Sequence, residues 1–174
     1  MKFSARIVMS LLGCIAALCA SADDGLSYAE RLRMEERLRM EALNAPGTPA
    51  ADFSFRTPDG AESSLRECLP QTGAHLLLIF FDPDCEDCEA AMSRLSRDPA
   101  TTSAIEEGRL KILAVYCGDN EVSWRRKAAL LPPEWTVGIN GGEIEEEELY
   151  DLPKMPTIYL IDSSGIVIQR GESN

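Results

Sequence analysis

The stretch His75-Leu-Leu-Leu-Ile-Phe-Phe-Asp-Pro-Asp-Cys-Glu-Asp-Cys88 decides the fold of this chain. Residues 76–81 form a continuous apolar run, which is typical of a strand buried on both faces. Apolar and thiol side chains then recur at helical spacing, at Cys85, Cys88, Ala91, Met92 and Leu95. The pattern predicts a buried strand that leads into a helix, with both cysteines on the side of the helix that faces the core.

Cys85 and Cys88 form a Cys-x-x-Cys motif at the predicted start of this helix. Two thiols at this spacing can close a disulfide across one helical turn. Unpaired N–H groups and the helix dipole at a helix N-terminus favour the thiolate, which is the reactive form of cysteine. The motif therefore indicates thiol exchange chemistry. A single Cys-x-x-Cys is also half of a zinc site, so the motif alone leaves both possibilities open.

The flanking sequence predicts one α/β domain around this unit. Upstream, Phe53–Phe55 alternates as a strand, Pro58-Asp59-Gly60 is typical of a turn, and residues 64–69 suit a short helix. Downstream we predict a second buried strand at 110–116, helices at 121–130 and 143–150, and a terminal hairpin of 157–161 and 166–168. A helix leads into the 110–116 strand, so that strand should run parallel to the first. This order predicts a mixed central sheet with helices on both faces.

The N-terminal residues have the pattern of an export signal. Lys2 and Arg6 precede the apolar run Ile7–Cys19, and Ala20-Ser21-Ala22 is a small-residue cleavage site. We therefore predict that residues 1–22 are a signal peptide and that the protein is periplasmic or otherwise exported. An alternative is a lipoprotein, anchored to the membrane through an acylated Cys14.

Residues 23–45 are predicted to be a helical N-terminal extension, and residues 46–174 a single domain. The extension holds a near-repeat of strong helix formers, Arg31–Glu36 followed by Arg37–Ala42. Its apolar residues do not form one stripe. The helix is therefore either a partner-binding or spacer element, or a solvated helix lying on the domain.

Charge and cysteine content limit the possible functions. Removal of residues 1–22 would change the net charge from −12 to −14, which argues against nucleic acid and anionic membrane surfaces as partners. The mature chain would keep Cys68, Cys85, Cys88 and Cys117, too few for a disulfide scaffold. Outside the cytosol, an exposed thiol pair needs a redox partner to stay reduced.

The tetrapeptide Lys154-Met155-Pro156-Thr157 lies before a predicted strand, far downstream of the Cys-x-x-Cys. With these two motifs and the Phe53-to-Leu65 segment, residues 46–171 resemble the thioredoxin superfamily, specifically the exported TlpA/ResA-like thiol-disulfide oxidoreductases and related redoxin domains. The resemblance implies a three-layer thioredoxin-like fold with a cis bond before Pro156. It also implies Cys85 as the attacking thiol, Cys88 as the resolving thiol, a redox disulfide between them, and Met155 and Pro156 as substrate-binding residues.

Two positions depart from the pattern of this superfamily. Asp84 stands where thioredoxins commonly have tryptophan, and Ile79 stands where cytosolic thioredoxins have a buried aspartate. With no carboxylate at position 79, the proton of Cys88 must move to water or to another acid.

Acidic residues surround Cys85 in the sequence, at Asp82, Asp84, Glu86, Asp87 and Glu89. Acids near a helix N-terminus stabilise the helix, but they also oppose formation of a thiolate on Cys85. A reduced form without a strongly stabilised thiolate donates electrons more readily. We therefore expect a reductase or isomerase of protein disulfides rather than a DsbA-like oxidant.

Other residues carry weaker expectations. Cys117 ends the second strand at the same sheet edge as Cys85, so it is either a third redox thiol or a buried small apolar residue. The single histidine, His75, opens the first strand, at the wrong end to act as a base or metal ligand beside Cys85.

The alternative function is a non-catalytic thioredoxin-fold module with a structural disulfide or a Sco-like copper site.

The expected partners follow from the leading hypothesis. They are protein thiols and disulfides as substrates and an unidentified electron donor, with no nucleic acid. We expect the protein to be a monomer that needs no cofactor and no metal.

Overall fold

The computed structural model of the chain describes residues 27–172. The predicted export signal, residues 1–22, and its alternative acylation site at Cys14 lie outside the described residues. Within residues 27–172, every helix is too short or too polar to cross a membrane.

Helix α1 spans Tyr28–Ala42 and lies within the predicted extension 23–45. Its N-terminus is capped by Ser27: the Glu30 N–H donates to the Ser27 hydroxyl, and the Ser27 N–H donates to the Glu30 carboxylate. Large apolar side chains of α1 are exposed at Tyr28, Leu32, Met34 and Leu38. The helix therefore presents no single apolar face, as the sequence indicates.

The part of the chain from Met40 onward forms one compact unit built on a seven-stranded sheet. The strands are β1 (Ser54–Arg56), β2 (Glu62–Ser64), β3 (His75–Phe81), β4 (Leu110–Tyr116), β5 (Thr136–Ile139), β6 (Thr157–Asp162) and β7 (Val167–Glu172). Their order across the sheet is β2-β1-β5-β4-β3-β6-β7. Strands β3, β4 and β5 are parallel, whereas β6, β7, β1 and β2 pair antiparallel.

Five helices connect and flank these strands within residues 40–172. After α1 come α2 (Leu65–Cys68), α3 (Glu86–Arg97), α4 (Pro99–Glu106), α5 (Glu121–Ala128) and α6 (Glu143–Glu146). Helix α6 is shorter than the predicted helix 143–150, because Glu148 adopts a left-handed φ of 51° and turns the chain. The turn places Tyr150 in the core, where it is 2% exposed.

Alternating side chains of β3 supply two apolar clusters on opposite faces of the sheet. Leu76, Leu78 and Phe80 pack in one cluster with residues of α2 and α6. Ile79 and Phe81 pack in the other with residues of α3 and α5. The predicted α/β fold, a mixed central sheet with helices on both faces, is therefore confirmed.

Candidate active site

Cys85 lies at the point where strand β3 gives way to helix α3. A turn joins the two elements: the Cys85 N–H donates to the Asp82 carbonyl at 3.2 Å, and the Asp84 N–H donates to the Asp82 carboxylate at 2.8 Å. Cys85 is the N-cap of α3, and its sulfur accepts a hydrogen bond from the Cys88 N–H at 3.3 Å. An N–H at the helix start thus points at the Cys85 sulfur, a geometry that favours negative charge there.

The two thiols of the motif differ in access to solvent. Cys85 is half-buried, whereas Cys88 is fully buried and packs with Ile79, Met92 and Trp124. Burial raises the pKa of Cys88 to about 12, helped by its hydrogen bond with Cys85 and by the charge of Asp82. The Cys88 thiol is therefore protonated at neutral pH, and Cys85 is the thiol that another molecule can reach.

The loop before β6 brings Met155 and Pro156 to Cys85. The Met155–Pro156 peptide bond is cis. The Cys85 sulfur lies 3.8 Å from the Met155 carbonyl oxygen, to which the thiol donates a weak hydrogen bond. Met155 also contacts both apolar clusters. The fold thus brings together an accessible thiol, a buried thiol and a backbone carbonyl 70 residues further along the chain.

Helix α5 supplies basic partners for two of the five acids near Cys85. Asp84 accepts hydrogen bonds from the Ser123 hydroxyl at 3.0 Å and from the Arg126 guanidinium at 3.1 Å. The Lys127 ammonium lies 3.5 Å from the Glu89 carboxylate. Sequence spacing gave no indication of these pairs, because α5 comes to lie beside α3 only when both helices pack on the same face of the sheet. The acidic field around Cys85 is therefore weaker than the sequence suggests.

The surroundings of residue 79, where cytosolic thioredoxins carry a buried carboxylate, are apolar in this structure. Ile79 is fully buried in the same cluster as Cys88. Among the carboxylates near Cys88, that of Asp82 interacts with it electrostatically. Asp82 is half-buried at the end of β3, where water also reaches.

Cys117 follows strand β4 but is not part of this site. It is 2% exposed and packs with Phe80, Val115 and Ile144, in the cluster on the other face of the sheet from Cys88. Burial raises the pKa of Cys117 to about 12, with a further contribution from the charge of Glu145.

His75 lies at the opposite end of strand β3, paired with Leu110 and Asp162. The seven residues from His75 to Phe81 span about 20 Å of extended backbone, so the imidazole is remote from Cys85. In residues 27–172, no three His, Cys, Asp or Glu side chains are arranged to hold a metal ion.

Solved structures match both the fold and the sequence of this chain. A thioredoxin-like protein from Bacteroides caccae is 30% identical, with a TM-score of 0.79 over 90% of this chain and 55% of its own length. The chain thus spans about half of that protein. A conserved protein of unknown function from Bacteroides fragilis is 35% identical, with a TM-score of 0.67 over 74% of this chain and 91% of its own.

The chain belongs to the thioredoxin superfamily. A third matching structure is that of a candidate thiol:disulfide interchange protein DsbE from Chlorobium tepidum. It is 25% identical, with a TM-score of 0.57 over 72% of this chain and 83% of its own. No family model and no curated protein matches this member of the thioredoxin superfamily.

Proposed function

We propose that this protein is an exported thiol-disulfide oxidoreductase that reduces or isomerises protein disulfides through Cys85 and Cys88. The observation that carries the proposal is the arrangement of an accessible Cys85 one helical turn before a buried Cys88, with the Met155 carbonyl 3.8 Å from the Cys85 sulfur. The likeness to the DsbE candidate supports the same class of chemistry.

The reaction begins at Cys85. Its thiolate attacks one sulfur of a substrate disulfide, a mixed disulfide forms on Cys85, and the other substrate sulfur leaves as a thiolate that takes up a proton. The carbonyl of Met155 and the backbone next to it offer an extended substrate chain a partner for main-chain hydrogen bonds. Met155 and Pro156 are therefore assigned to substrate binding.

The second step uses Cys88. Its thiol loses a proton, and the thiolate attacks the Cys85 sulfur, so that the second substrate thiol is released and a Cys85–Cys88 disulfide forms. Two electrons have then passed from the protein to the substrate. The high pKa of Cys88 makes this thiol inert until a mixed disulfide is held next to it. Since position 79 is Ile, the proton passes to water at the Asp82 end of the strand.

Return to the reduced state requires an external dithiol, which is oxidised to a disulfide as Cys85 and Cys88 are reduced. The acids around Cys85 favour the reductase or isomerase direction. The pairing of Asp84 and Glu89 with bases of α5 makes this bias smaller than five free carboxylates would give.

The remaining parts of the chain have proposed roles that fit an exported enzyme. Residues 1–22 direct export and are removed, or Cys14 is acylated and anchors the protein to the membrane. Residues 46–174 form the thioredoxin-like domain, which acts as a monomer. The extension 23–45 binds a partner, serves as a spacer or is simply a solvated helix.

Insulin reduction with dithiothreitol as the electron donor tests the proposal. The wild-type protein should accelerate insulin precipitation, and Cys85→Ser should remove the acceleration entirely because it removes the attacking sulfur. Cys68→Ser is the matched control, since Cys68 lies at the end of α2 and is expected to leave the rate unchanged. A wild-type protein that does not accelerate precipitation but binds copper(I) one to one would instead favour the non-catalytic module.

A further inference from the structure

The loop between α6 and β6, residues 147–156, carries the Met155 backbone that faces Cys85. It has no helix or strand of its own. Backbone hydrogen bonds to α6 hold residues 147–149, and side-chain contacts add to them along the loop. Two contacts hold its first half: the Asn44 side-chain amide donates to the Leu149 carbonyl at 2.8 Å, and the Tyr150 hydroxyl donates to the Ala51 carbonyl at 2.6 Å. Its end is held by the Thr157 hydroxyl, which donates to the Lys154 carbonyl.

Asp151 lies between these two anchor points and is held by Arg170 of strand β7. One guanidinium nitrogen of Arg170 donates to both the backbone carbonyl and the carboxylate of Asp151, at 2.9 Å each. The side chains of Arg170 and Asp151 are only 18% and 24% exposed. A charge-assisted contact shielded from water to this degree is stronger than an exposed ion pair.

Arg170 is itself fixed to the sheet next to the loop. It pairs with Tyr159 across strands β6 and β7, and its guanidinium lies 5.7 Å from the centre of the Tyr159 ring. Tyr159 is fully buried, two residues after β6 begins. Arg170 therefore connects a rigid part of the sheet to the middle of the loop.

Three residues lie between Asp151 and Met155, and they leave the backbone little freedom. Leu152 and Met155 pack against the apolar cluster that contains Tyr150. Pro153 fixes its own φ and restricts the residue before it. A displacement at Asp151 would therefore move Met155.

We propose that Asp151 and Arg170 form a positioning pair that holds the Met155 backbone against Cys85 so that an extended polypeptide can dock there. The inference rests on the proposed function and extends it to the substrate class. Protein disulfides use the Met155 backbone, whereas a small aromatic disulfide needs only the Cys85 thiol. Neither Asp151 nor Arg170 touches the reacting sulfurs.

The test compares a protein disulfide with a small disulfide in Asp151→Asn and Arg170→Gln variants of the full chain. The KM for insulin should rise about tenfold, since a misplaced docking segment weakens substrate positioning. Both kcat at saturating insulin and the rate of reaction with 5,5′-dithiobis(2-nitrobenzoate) should stay within about twofold of wild type. Arg170→Lys keeps the positive charge but lacks the planar guanidinium. Its KM for insulin should therefore lie between those of Arg170→Gln and the wild type.

The matched control is Arg109→Gln, which removes an exposed arginine paired with Glu107 near the other end of the sheet. It should leave the kinetic constants for insulin and the rate with the small disulfide unchanged. Equal losses with insulin and the small disulfide, or no change in either, would overturn the inference.

Separate measurements check whether each variant folds and whether the wild-type protein is active. If Arg170→Gln does not fold, Asp151→Asn carries the test because it keeps the backbone contact. If neither variant folds, the pair serves stability alone and the inference is wrong. A wild-type protein that reacts with neither substrate would show that the proposed function itself fails.

Discussion

Cys88 and Cys117 are alike in burial and in pKa, yet only Cys88 lies next to the accessible Cys85. Each follows a strand of the parallel pair β3 and β4, each is buried, and burial raises the pKa of each to about 12. The difference is the neighbour. Cys88 lies one helical turn from the accessible Cys85, whereas Cys117 packs against α6 on the other face of the sheet.

Under the proposed function, burial and pKa alone do not distinguish the resolving thiol Cys88 from Cys117. A buried thiol resolves a mixed disulfide only if a second sulfur is brought to it. Cys117 has the same protonated thiol, but it packs in the cluster on the other face of the sheet from Cys85, so we expect it to act as a small core residue. Three measurements test this contrast.

Substitution of each buried thiol should give the largest difference. Cys88→Ala should lower insulin turnover at least about 100-fold, because the mixed disulfide on Cys85 can no longer be resolved within the protein. Non-reducing electrophoresis should show the trapped adduct. Cys117→Ala should keep turnover within about twofold of wild type. A comparable loss in Cys117→Ala would establish Cys117 as a third redox thiol.

The pH dependence of stability tests the second shared property, the raised pKa. In the reduced protein both folded thiols have a pKa above the ordinary value of 9.0, so folding holds their protons more tightly than the unfolded chain does. Their contribution to stability is full below about pH 9 and is lost as the pH rises toward about 12. Urea unfolding of the reduced protein at pH 7 and pH 10 should show this decline.

The Cys117→Ala variant shows how much of this pH dependence comes from Cys117 and how much from Cys88. The variant should be less stable at pH 7 because it leaves a small cavity, and its stability should fall less steeply above pH 9. If the pH dependence is unchanged in Cys117→Ala, then the Cys117 thiol does not have a raised pKa.

The smallest expected effect concerns the environment of Cys85, which distinguishes the Cys85–Cys88 pair from Cys117. Arg126→Gln would leave Asp84 without its cationic partner and so disfavour the Cys85 thiolate. The rate of Cys85 alkylation by iodoacetamide at pH 7 should fall about twofold, as expected for one exposed ion pair. Asp84→Asn should raise the rate.

Arg125→Gln is the control for this measurement. The neighbouring guanidinium of Arg125 contacts the Pro58 carbonyl and Glu121 rather than Asp84. Its loss should leave Cys85 alkylation unchanged. If Arg125→Gln and Arg126→Gln slow alkylation equally, the effect comes from the general charge of the protein and not from the pair with Asp84.

Strong local patterns made most of the fold predictable. The β3 strand and the helix after it followed from an apolar run and from apolar residues at helical spacing, and the structure places them at His75–Phe81 and Glu86–Arg97. The predicted helix 143–150 was too long. Its second half is rich in glutamate, a good helix former, but packing of Tyr150 into the core ends the helix early.

Contacts between distant residues could not be predicted in the same way. The Asp84–Arg126 and Asp151–Arg170 pairs join residues 42 and 19 positions apart, and no spacing rule connects them. The sequence contains many acidic and basic residues and allows many alternative ion pairs between them. Only the packing of α5 beside α3, and of β7 beside the Met155 loop, selects the partners.

Local sequence was enough to predict that a cysteine pair begins a helix after a buried strand, because apolar periodicity and helix-start chemistry are properties of neighbouring residues. Which groups surround that pair depends on the folded chain. It brought the Met155 carbonyl to Cys85, buried Cys88 among apolar residues and placed Cys117 on the other face of the sheet. These outcomes depend on strand order and on the face to which each side chain points, which the whole fold fixes at once.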